Sequence, residues 1–314
     1  MDERQDTRGT EPATYRAYPS ETERKAKTTR TGGRRRRGVE KHSTEESPLV
    51  TVVTVVLNGA KYLREAIQSV IGQDYENVEY IVVDGGSTDS TLDIIESYDE
   101  DIDLWISESD SGVYHAMNKA IGLGRGELFF FLNSDDYFMD KRIISNVVSV
   151  YKNDRSLKLI YGNVFVFNPE TKHGVSVGRP ISLADLKSGK TICHQALFIG
   201  AEPLKEKSFD LKYGIAADFD FICRWFGEYP SRYLNKTFAL YRLGGLSSNP
   251  DGVAQEAKEI IRTHFGNYAY RKYIVLYKLK FVRKILRKIL LTTGLLERLY
   301  SLSLYKKVMR RIDY

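Results

Sequence analysis

Residues 127–138 read ELFFFLNSDDYF, a strongly apolar run that ends on two adjacent carboxylates, Asp135 and Asp136. Such a run predicts a buried strand, and open α/β sheets bind ligands outside the carboxyl ends of their strands. Two neighbouring carboxylates repel each other unless a positive charge lies between them. A hydrated divalent cation that carries phosphate oxygens fits this place, because hard cations take carboxylate and phosphate ligands. The stretch therefore indicates an enzyme that acts on a nucleotide-linked substrate.

The sequence around this run alternates between strand and helix patterns. β-branched or apolar runs predict strands, and apolar residues at helical spacing predict helices. The strands predicted in the first half are Leu49–Leu57, Val78–Val83, Leu104–Ser107 and Leu128–Leu132, and the helices are Lys61–Gln73, one capped by Ser87 or Thr88, and Val113–Leu123. Short links between alternating strands and helices favour an α/β fold with a mostly parallel, Rossmann-like central sheet and helices on both faces.

The second half has a looser pattern, which is typical of mixed strand pairing. The strands predicted there are Leu157–Phe167, Ile192–Ile199 and Tyr233–Leu243, and the helices are Ile143–Tyr151, Asp218–Phe226 and Ala254–Phe265. We expect residues 49–269 to form one folded domain, since they contain every predicted strand.

Charge is distributed unevenly along the chain. Residues 1–48 hold 12 Lys and Arg against 9 Asp and Glu, residues 270–314 hold 13 against 2, and the segment between them holds 22 against 30. Basic ends favour an anionic partner, whereas an acidic middle would be repelled by nucleic acid. Residues 1–48, with the run Arg34–Arg37, lack periodicity and are predicted to be a disordered basic tail.

The C-terminal segment 270–314 is predicted to be a basic amphipathic helical region. From Tyr273 apolar and cationic residues alternate at near-helical spacing, with a break at Gly294. A helix of this kind lies in a membrane interface, where its cations are attracted to anionic lipids. A helix that packs on the core and leaves its lysines in water remains the alternative.

Composition places few other limits on the 314-residue chain, which is 42% hydrophobic and 28% charged. Cys193 and Cys223 have no metal-binding spacing, so we expect a reducing compartment and no disulfide framework. The polar N-terminus does not read as a signal peptide, and no apolar run is long enough for a membrane span. These features predict a cytoplasmic protein, peripheral at the inner face of the plasma membrane.

Asp84 ends the second predicted strand as Asp135 and Asp136 end the fourth. Carboxyl ends of parallel strands meet at one edge of a sheet, so these acids are expected to lie together. Asp84 is placed to hydrogen-bond a base or ribose, and Asp135 or Asp136 to hold a metal. A metal there would neutralise a diphosphate and stabilise it as a leaving group.

Four stretches resemble the family 2 glycosyltransferases. They are VVTVVLNGAKYLREAIQSVIGQDYENVEYIVVDGGSTDST at 52–91, ESDSGVYHAMNKAIGLGRGELFFFLNSDDYF at 108–138, ICHQALF at 192–198 and GIAADFDFICRW at 214–225. The resemblance is to the bacterial branch that builds exopolysaccharide, capsule, O-antigen and colanic acid-type repeat units. It implies a GT-A fold, a nucleotide-sugar donor such as a UDP-sugar, and Mn²⁺ or Mg²⁺ as cofactor.

The resemblance also assigns residues to the donor. In the family pattern the acid after the second strand contacts the base, here Asp84, and the Asp-x-Asp motif falls on 133–135, where Asn133 replaces the first acid. Which of Asp135 and Asp136 touches the metal is therefore open. The residues expected to contact donor or metal are Asn58, Asp84, Gly86, Asp110, Asn133, Asp135, Asp136 and His194, with Lys119 and Arg125 as candidate phosphate cations and Arg242, Gly244 and Gly245 in a loop over the donor.

The implied catalytic base is Asp218, at the start of a predicted helix. The family usually has Glu before this acid, whereas here Ala217 precedes it, and Asp220 is the second candidate. A carboxylate that reaches the acceptor hydroxyl can remove its proton, although a plain helix cap is the simpler explanation of an Asp here. His194, in an apolar stretch predicted as strand, is either a phosphate, metal or acceptor-site ligand or a buried core residue.

The sequence therefore predicts an inverting, metal-dependent glycosyltransferase of the hexosyltransferase type. Its acceptor is expected to be a lipid-linked glycan of cell-surface polysaccharide biosynthesis. Two alternatives remain at this point, namely a nucleotidyltransferase with a similar sheet and metal site, and a non-catalytic protein that binds anionic membranes.

Overall fold

The computed structural model describes residues 29–244 and 249–292. The strands in this part of the chain are β1 (Arg30–Gly32), β2 (Val50–Val56), β3 (Val78–Asp84), β4 (Leu104–Ser107), β5 (Leu128–Phe131), β6 (Tyr137–Phe138), β7 (Leu159–Asn168), β8 (His173–Val177), β9 (Leu197–Gly200) and β10 (Ser231–Arg242). The helices are α1 (Leu63–Ile71), α2 (Thr91–Ser97), α3 (Val113–Leu123), α4 (Ile143–Asn153), α5 (Leu183–Lys187), α6 (Ala201–Glu206), α7 (Ala217–Trp225) and α8 (Pro250–Thr292).

All ten strands join one sheet in the order β1-β4-β3-β2-β5-β9-β7-β10-β6, with β8 paired to β7. Strands β4, β3, β2 and β5 are parallel neighbours, as the alternating pattern predicts. Strand β9 is antiparallel to both β5 and β7, whereas β10 is parallel to β7. The parallel centre and the mixed second half are therefore both confirmed.

Side chains of the central strands alternate between two apolar cores, one on each face of the sheet. Phe129 and Phe131 pack in one core, while Leu128 and Phe130 pack in the other. Successive side chains of a strand point to opposite faces, so a strand that is covered on both faces must be apolar throughout. This explains why β2, with the sequence VTVVTVV, is buried at every position.

The prediction of a disordered tail over residues 1–48 is wrong for residues 29–48. Residues 29–41, here called the N-terminal strap, run along the sheet, and β1 pairs antiparallel with β4. Arg35 Nη1 lies 3.1 Å from Glu79 Oε1, and Lys41 Nζ lies 3.0 Å from Asp103 Oδ2. Because Arg35 and Lys41 have buried acidic partners, this segment is held on the fold, while Arg36 and Arg37 remain exposed. Residues 1–28 lie outside the described residues.

Two elements of the second half also differ from prediction. His194 and Gln195 belong to a short 3₁₀ helix, His194–Ala196, and not to the strand predicted at Ile192–Ile199. Helix α8 runs from Pro250 to Thr292 and includes the predicted helix Ala254–Phe265, with a kink at Gly266, whose φ is 76°. The predicted break at Gly294 lies outside the described residues. Within the described part, no helix combines the length and the apolar content that crossing a membrane requires.

Candidate active site

The loops after β2 and β3 are locked together at the carboxyl edge of the sheet. Asn58, in the left-handed region with φ 52°, accepts a hydrogen bond from the Thr88 amide at 2.8 Å through Oδ1. The Asn58 amide in turn donates to Ser87 Oγ at 2.7 Å. Asp84 is fully buried beneath them and accepts from the Ser87 amide and from Ser107 Oγ, the latter at 2.6 Å. Asp84 thus organises this loop, and its contact with a base stays a prediction.

Asp110, after β4, faces the same loop. Its Oδ1 accepts from the Gly112 amide at 2.9 Å, and its Oδ2 lies 2.8 Å from the point that a Cβ on Gly85 would occupy. Any side chain at residue 85 would therefore displace this carboxylate. Burial, with a contribution from the charge of Asp84, raises the pKa of Asp110. Gly86, with φ 83°, completes the turn beside it.

The two acids after β5 have different environments. Asp136 is fully buried, and its oxygens accept from Gln195 Nε2 at 3.0 Å and from the Arg242 amide at 2.9 Å. Asp135 is half-buried, and within the described residues no other side chain hydrogen-bonds its carboxylate. Burial raises the pKa of both acids, and the charge of Asp135 raises that of Asp136 further. Asp136 is thus held by the protein, whereas Asp135 is available to a ligand.

Asp218, the predicted base, lies at the start of α7 in contact with His194. Its Oδ2 is 3.1 Å from His194 Nδ1, and its Oδ1 accepts from the Phe219 amide at 2.9 Å. The Tyr114 hydroxyl shares its one proton between Asp218 Oδ1 at 3.1 Å and the Ile215 carbonyl at 2.8 Å. Burial and the charge of Asp218 raise the pKa of Tyr114, which keeps its hydroxyl a donor. His194 directly precedes Gln195, whose side chain binds Asp136, so the Asp218–His194 pair lies beside the two acids after β5. The structure therefore brings Asp218, His194 and Asp135 to one place.

Other predicted residues are engaged in contacts with different partners. The second base candidate, Asp220, is buried and bound by Arg224 Nη2 at 2.5 Å and His264 Nε2 at 2.7 Å, away from the site. The two candidate phosphate cations form ion pairs, Lys119 with Glu108 at 2.5 Å and Arg125 with Glu40 at 2.7 Å. Gly245 lies outside the described residues.

Sequence reasoning did not predict that Gln195 and Arg242 hold the acid pair. Gln195 is buried and also accepts from Cys193 Sγ at 2.7 Å. Arg242 lies in the predicted strand Tyr233–Leu243 and ends β10, and its guanidinium donates to the Asp135 carbonyl and to Glu65 Oε2 at 2.6 Å. Polar residues inside apolar stretches are the signal that marks such positions, because buried polar groups need partners.

The donor set near Asp135 fits a cation that is bound partly by substrate. Within the described residues no group of three or more His, Cys, Asp or Glu side chains could enclose a metal ion. Magnesium-type cations need no such enclosure, since they bind through one or two carboxylates, substrate phosphates and water. Asp135 supplies a carboxylate, and the buried Oδ1 of Asn133 has no partner in the described part of the chain.

Comparison with known proteins agrees with this architecture. The family model described as Glycosyl transferase family 2 matches residues 51–206. An uncharacterized glycosyltransferase of Mycobacterium tuberculosis is 33% identical over 184 residues, which are 57% of this chain and 69% of that protein. A PGL/p-HBAD biosynthesis glycosyltransferase of Mycobacterium bovis BCG is 30% identical over 209 residues, which are 64% of this chain and 80% of that protein.

Solved structures share the fold. S. aureus TarS 1–349 in complex with UDP aligns with a TM-score of 0.55 at 20% identity, over 69% of this chain and 65% of that chain. The mannosyltransferase PcManGT from Pyrobaculum calidifontis, in complex with GDP-Man and Mn²⁺, aligns with a TM-score of 0.54 at 17% identity, over 85% of each chain. The predicted GT-A fold is thereby confirmed. With its fold, its family model and its relatives in agreement, the chain belongs to glycosyltransferase family 2.

Proposed function

We propose that this glycosyltransferase moves a sugar from a nucleoside diphosphate, UDP in the first instance, to a hydroxyl group with inversion at the anomeric carbon. The observation that carries the proposal is the meeting of two unlike groups at one sheet edge. One is the available carboxylate of Asp135 beside the unpartnered amide oxygen of Asn133. The other is the hydrogen-bonded pair of Asp218 and His194.

The first group suits the diphosphate end of the donor. Asp135 and Asn133 would hold Mn²⁺ or Mg²⁺, which when bound neutralises charge on a diphosphate leaving group. Asp110 and the loop of Asn58 and Gly86 lie at the ends of the neighbouring strands, where a nucleoside and its sugar would be bound. UDP as the nucleotide is supported by the complexes of TarS with UDP and with UDP-GlcNAc.

The second group suits the acceptor. Inversion requires the acceptor hydroxyl to attack from the side opposite the diphosphate, and a base must reach that hydroxyl to take its proton. Asp218 and His194 provide the hydrogen-bonded acid and imidazole that this step needs. The site thus offers one group for the diphosphate and one for the acceptor hydroxyl. A nucleotidyltransferase or a non-catalytic protein would not require this combination.

A lipid-linked glycan is the proposed acceptor, at the inner face of the membrane. The mycobacterial relatives are named glycosyltransferases of PGL/p-HBAD biosynthesis, which supports a role in building a glycosylated product. Helix α8 supports membrane contact, because it exposes Arg271, Lys272 and Lys278 together with the apolar Val275 and Leu279. A cationic and apolar helix surface of this kind binds anionic bilayers.

The test is nucleotide binding followed by turnover with the full-length chain. We expect UDP to raise the melting temperature, and Mn²⁺ to enlarge that increase, because ligands of the folded state stabilise it by mass action. UDP release from UDP-glucose, UDP-galactose and UDP-N-acetylglucosamine, with water as acceptor, then reports the chemistry. Failure of every nucleoside diphosphate to stabilise the protein, with and without Mn²⁺, would refute the proposal.

Asp135→Asn is the informative variant. We expect it to remove the Mn²⁺-dependent part of the UDP stabilisation and to slow UDP release by about 100-fold, the usual effect of losing one group that stabilises a developing charge. Asp140→Asn is the matched control, because Asp140 follows shortly after Asp135 in the chain, beyond β6, but is exposed and pairs with Arg142. It should leave both measurements unchanged.

A further inference from the structure

The contacts of Asp218 and His194 define which atom is free to act as a base. Both oxygens of the Asp218 carboxylate are occupied, Oδ1 by the Phe219 amide, with a shared contact from Tyr114 Oη, and Oδ2 by His194 Nδ1. An ionised carboxylate only accepts hydrogen bonds, so His194 Nδ1 must carry the proton in this contact. The other ring nitrogen, Nε2, then has a free lone pair.

His194 Nε2 is itself buried and has no hydrogen-bond partner in the described part of the chain. Buried polar atoms almost always have partners, and an exception calls for a functional explanation. The free lone pair and the missing hydrogen-bond partner thus belong to the same atom, His194 Nε2. That atom belongs to the residue before Gln195, which holds Asp136 next to Asp135 on the proposed donor side.

We propose that His194 Nε2, and not Asp218, removes the proton of the acceptor, with Asp218 and Tyr114 as positioning residues. The inference rests on the proposed sugar transfer at this site. The acceptor oxygen forms a bond to the anomeric carbon as its proton moves to Nε2, and the bond from that carbon to the diphosphate breaks. The diphosphate leaves with the bonding electron pair, and Asp218 stays ionised and stabilises the imidazolium.

Asp218 and His194 differ in how their polar atoms are hydrogen-bonded, and this difference assigns the base. Both Asp218 oxygens already accept hydrogen bonds from neighbouring protein groups, whereas His194 Nε2 has no partner in the described part of the chain. An imidazole whose Nδ1–H is held by a carboxylate is fixed in the tautomer that leaves Nε2 as the hydrogen-bond acceptor. In the Asp218–His194 contact, Asp218 therefore orients the imidazole and His194 acts as the base.

Chemical rescue tests the assignment. We expect His194→Ala to lower the rate of UDP release by about 1000-fold, within the range of general base catalysis, and added imidazole to restore part of it. Asp218→Ala should lose less, about 100-fold, and should gain nothing from added formate. The reverse pattern, with formate rescuing Asp218→Ala and imidazole without effect on His194→Ala, would show that Asp218 is the base and overturn the inference.

A binding measurement separates this role from the other roles open to His194. The affinity of His194→Ala and His194→Gln for UDP with Mn²⁺ should stay within about twofold of wild type, which also shows that the variants are folded. A loss of tenfold or more in Mn²⁺-dependent affinity would make His194 a metal ligand and overturn the inference, while leaving the proposed sugar transfer intact. Absence of wild-type UDP release from the whole donor panel would overturn both.

Discussion

At the scale of single residues, Arg242 connects the acid pair to the rest of the fold. Its guanidinium carbon lies 4.2 Å from the ring centroid of Tyr62 and 5.3 Å from that of Tyr137. The same group donates to Glu65, while the backbone amide of Arg242 donates to Asp136. A planar guanidinium can stack on rings and bind a carboxylate at once, which a lysine ammonium cannot do.

We therefore expect Arg242→Lys to lower the free energy of unfolding by about 2 kcal/mol, through weaker ring contacts and loss of a charge-assisted hydrogen bond. Urea denaturation measures this difference. Arg232→Lys, at an exposed position of the same strand, is the control and should change the unfolding free energy little. Equal effects of the two substitutions would contradict the role given to Arg242.

Asp220 provides a prediction with a defined pH dependence. Burial would raise its pKa, but hydrogen bonds from His264 and Arg224 outweigh burial and hold the pKa below its usual range. Ionised Asp220 therefore stabilises the folded state at neutral pH, and this contribution is lost as the pH falls through the folded-state pKa. Asp220→Asn should lower the free energy of unfolding by about 2 kcal/mol at neutral pH, somewhat less than for a fully buried pair.

The difference between Asp220→Asn and wild type should shrink as the pH falls below about 4, where the wild-type acid also becomes protonated. Thermal melts across this pH range measure it. UDP release by folded Asp220→Asn should remain close to wild type, because Asp220 lies outside the proposed site. A large loss of rate in a folded variant would restore Asp220 as a candidate base.

The candidate site was only partly predictable from the sequence. Asp135 and Asp136 stand in a local motif, so their place at a strand end could be inferred from neighbours in the chain. Gln195 and Arg242 contact Asp136 across 59 and 106 residues of sequence. Such contacts depend on strand order, which local patterns do not specify, and this is why the different environments of the two acids could not be predicted.

At the scale of elements, Glu79 joins the N-terminal strap to the sheet. It is buried in β3, and its Oε2 accepts from Thr51 Oγ1 at 2.7 Å and from the Arg125 amide at 2.8 Å. Arg35 bonds Glu79 Oε1 and also donates to the Leu123 carbonyl at 2.9 Å. The strap, β2, β3 and the link after α3 therefore share one buried charge.

Arg35→Met tests this junction while it keeps most of the side-chain volume. We expect a loss of about 3 kcal/mol in the free energy of unfolding, because a buried carboxylate is left without its cation. Arg36→Met is a matched control at the neighbouring exposed position and should change stability by less than about 0.5 kcal/mol. Chemical denaturation compares the two, and similar losses would show that the strap is not held through Glu79.

The strands of the parallel centre were predicted almost to the residue, because long apolar runs between turn signals have few other solutions. The stretch at 192–199 was not predicted correctly, since a short apolar run does not distinguish a strand from a turn of helix. The strap was missed because its arginines look solvated until the buried acids that they bind are known. Tertiary partners decided the structure in both cases.

At the scale of the whole molecule, α8 has one face on the body and one in water. Ile260, Ile261 and Tyr273 pack with α7 in one of the two cores. The opposite face exposes Tyr268 and Val275, at 83% and 57% of their surface, together with Leu279 and Val282. Positions 268, 275, 279 and 282 recur at helical spacing, so these side chains form one apolar stripe.

We expect the full-length chain to co-sediment with phosphatidylglycerol vesicles more strongly than with phosphatidylcholine vesicles, because the flanking cations are attracted to anionic lipid. The double variant Val275→Glu/Leu279→Glu should weaken partitioning by about 3 kcal/mol, the burial free energy of two aliphatic side chains. Val175→Glu/Val177→Glu changes equally exposed residues on β8 and should have little effect. Equal binding of both double variants would argue against α8 as the contact.

The pairing of β1 with β4 also has a consequence for self-association. Strand β4 has β3 on one side and only the three residues of β1 on the other. A chain shortened to begin at Pro48 would leave the amides and carbonyls of that side unpaired, and an uncovered edge recruits strands from other molecules. Trimming the basic N-terminus would thus yield a protein that aggregates through intermolecular β-pairing, even where its fold and its active site are intact.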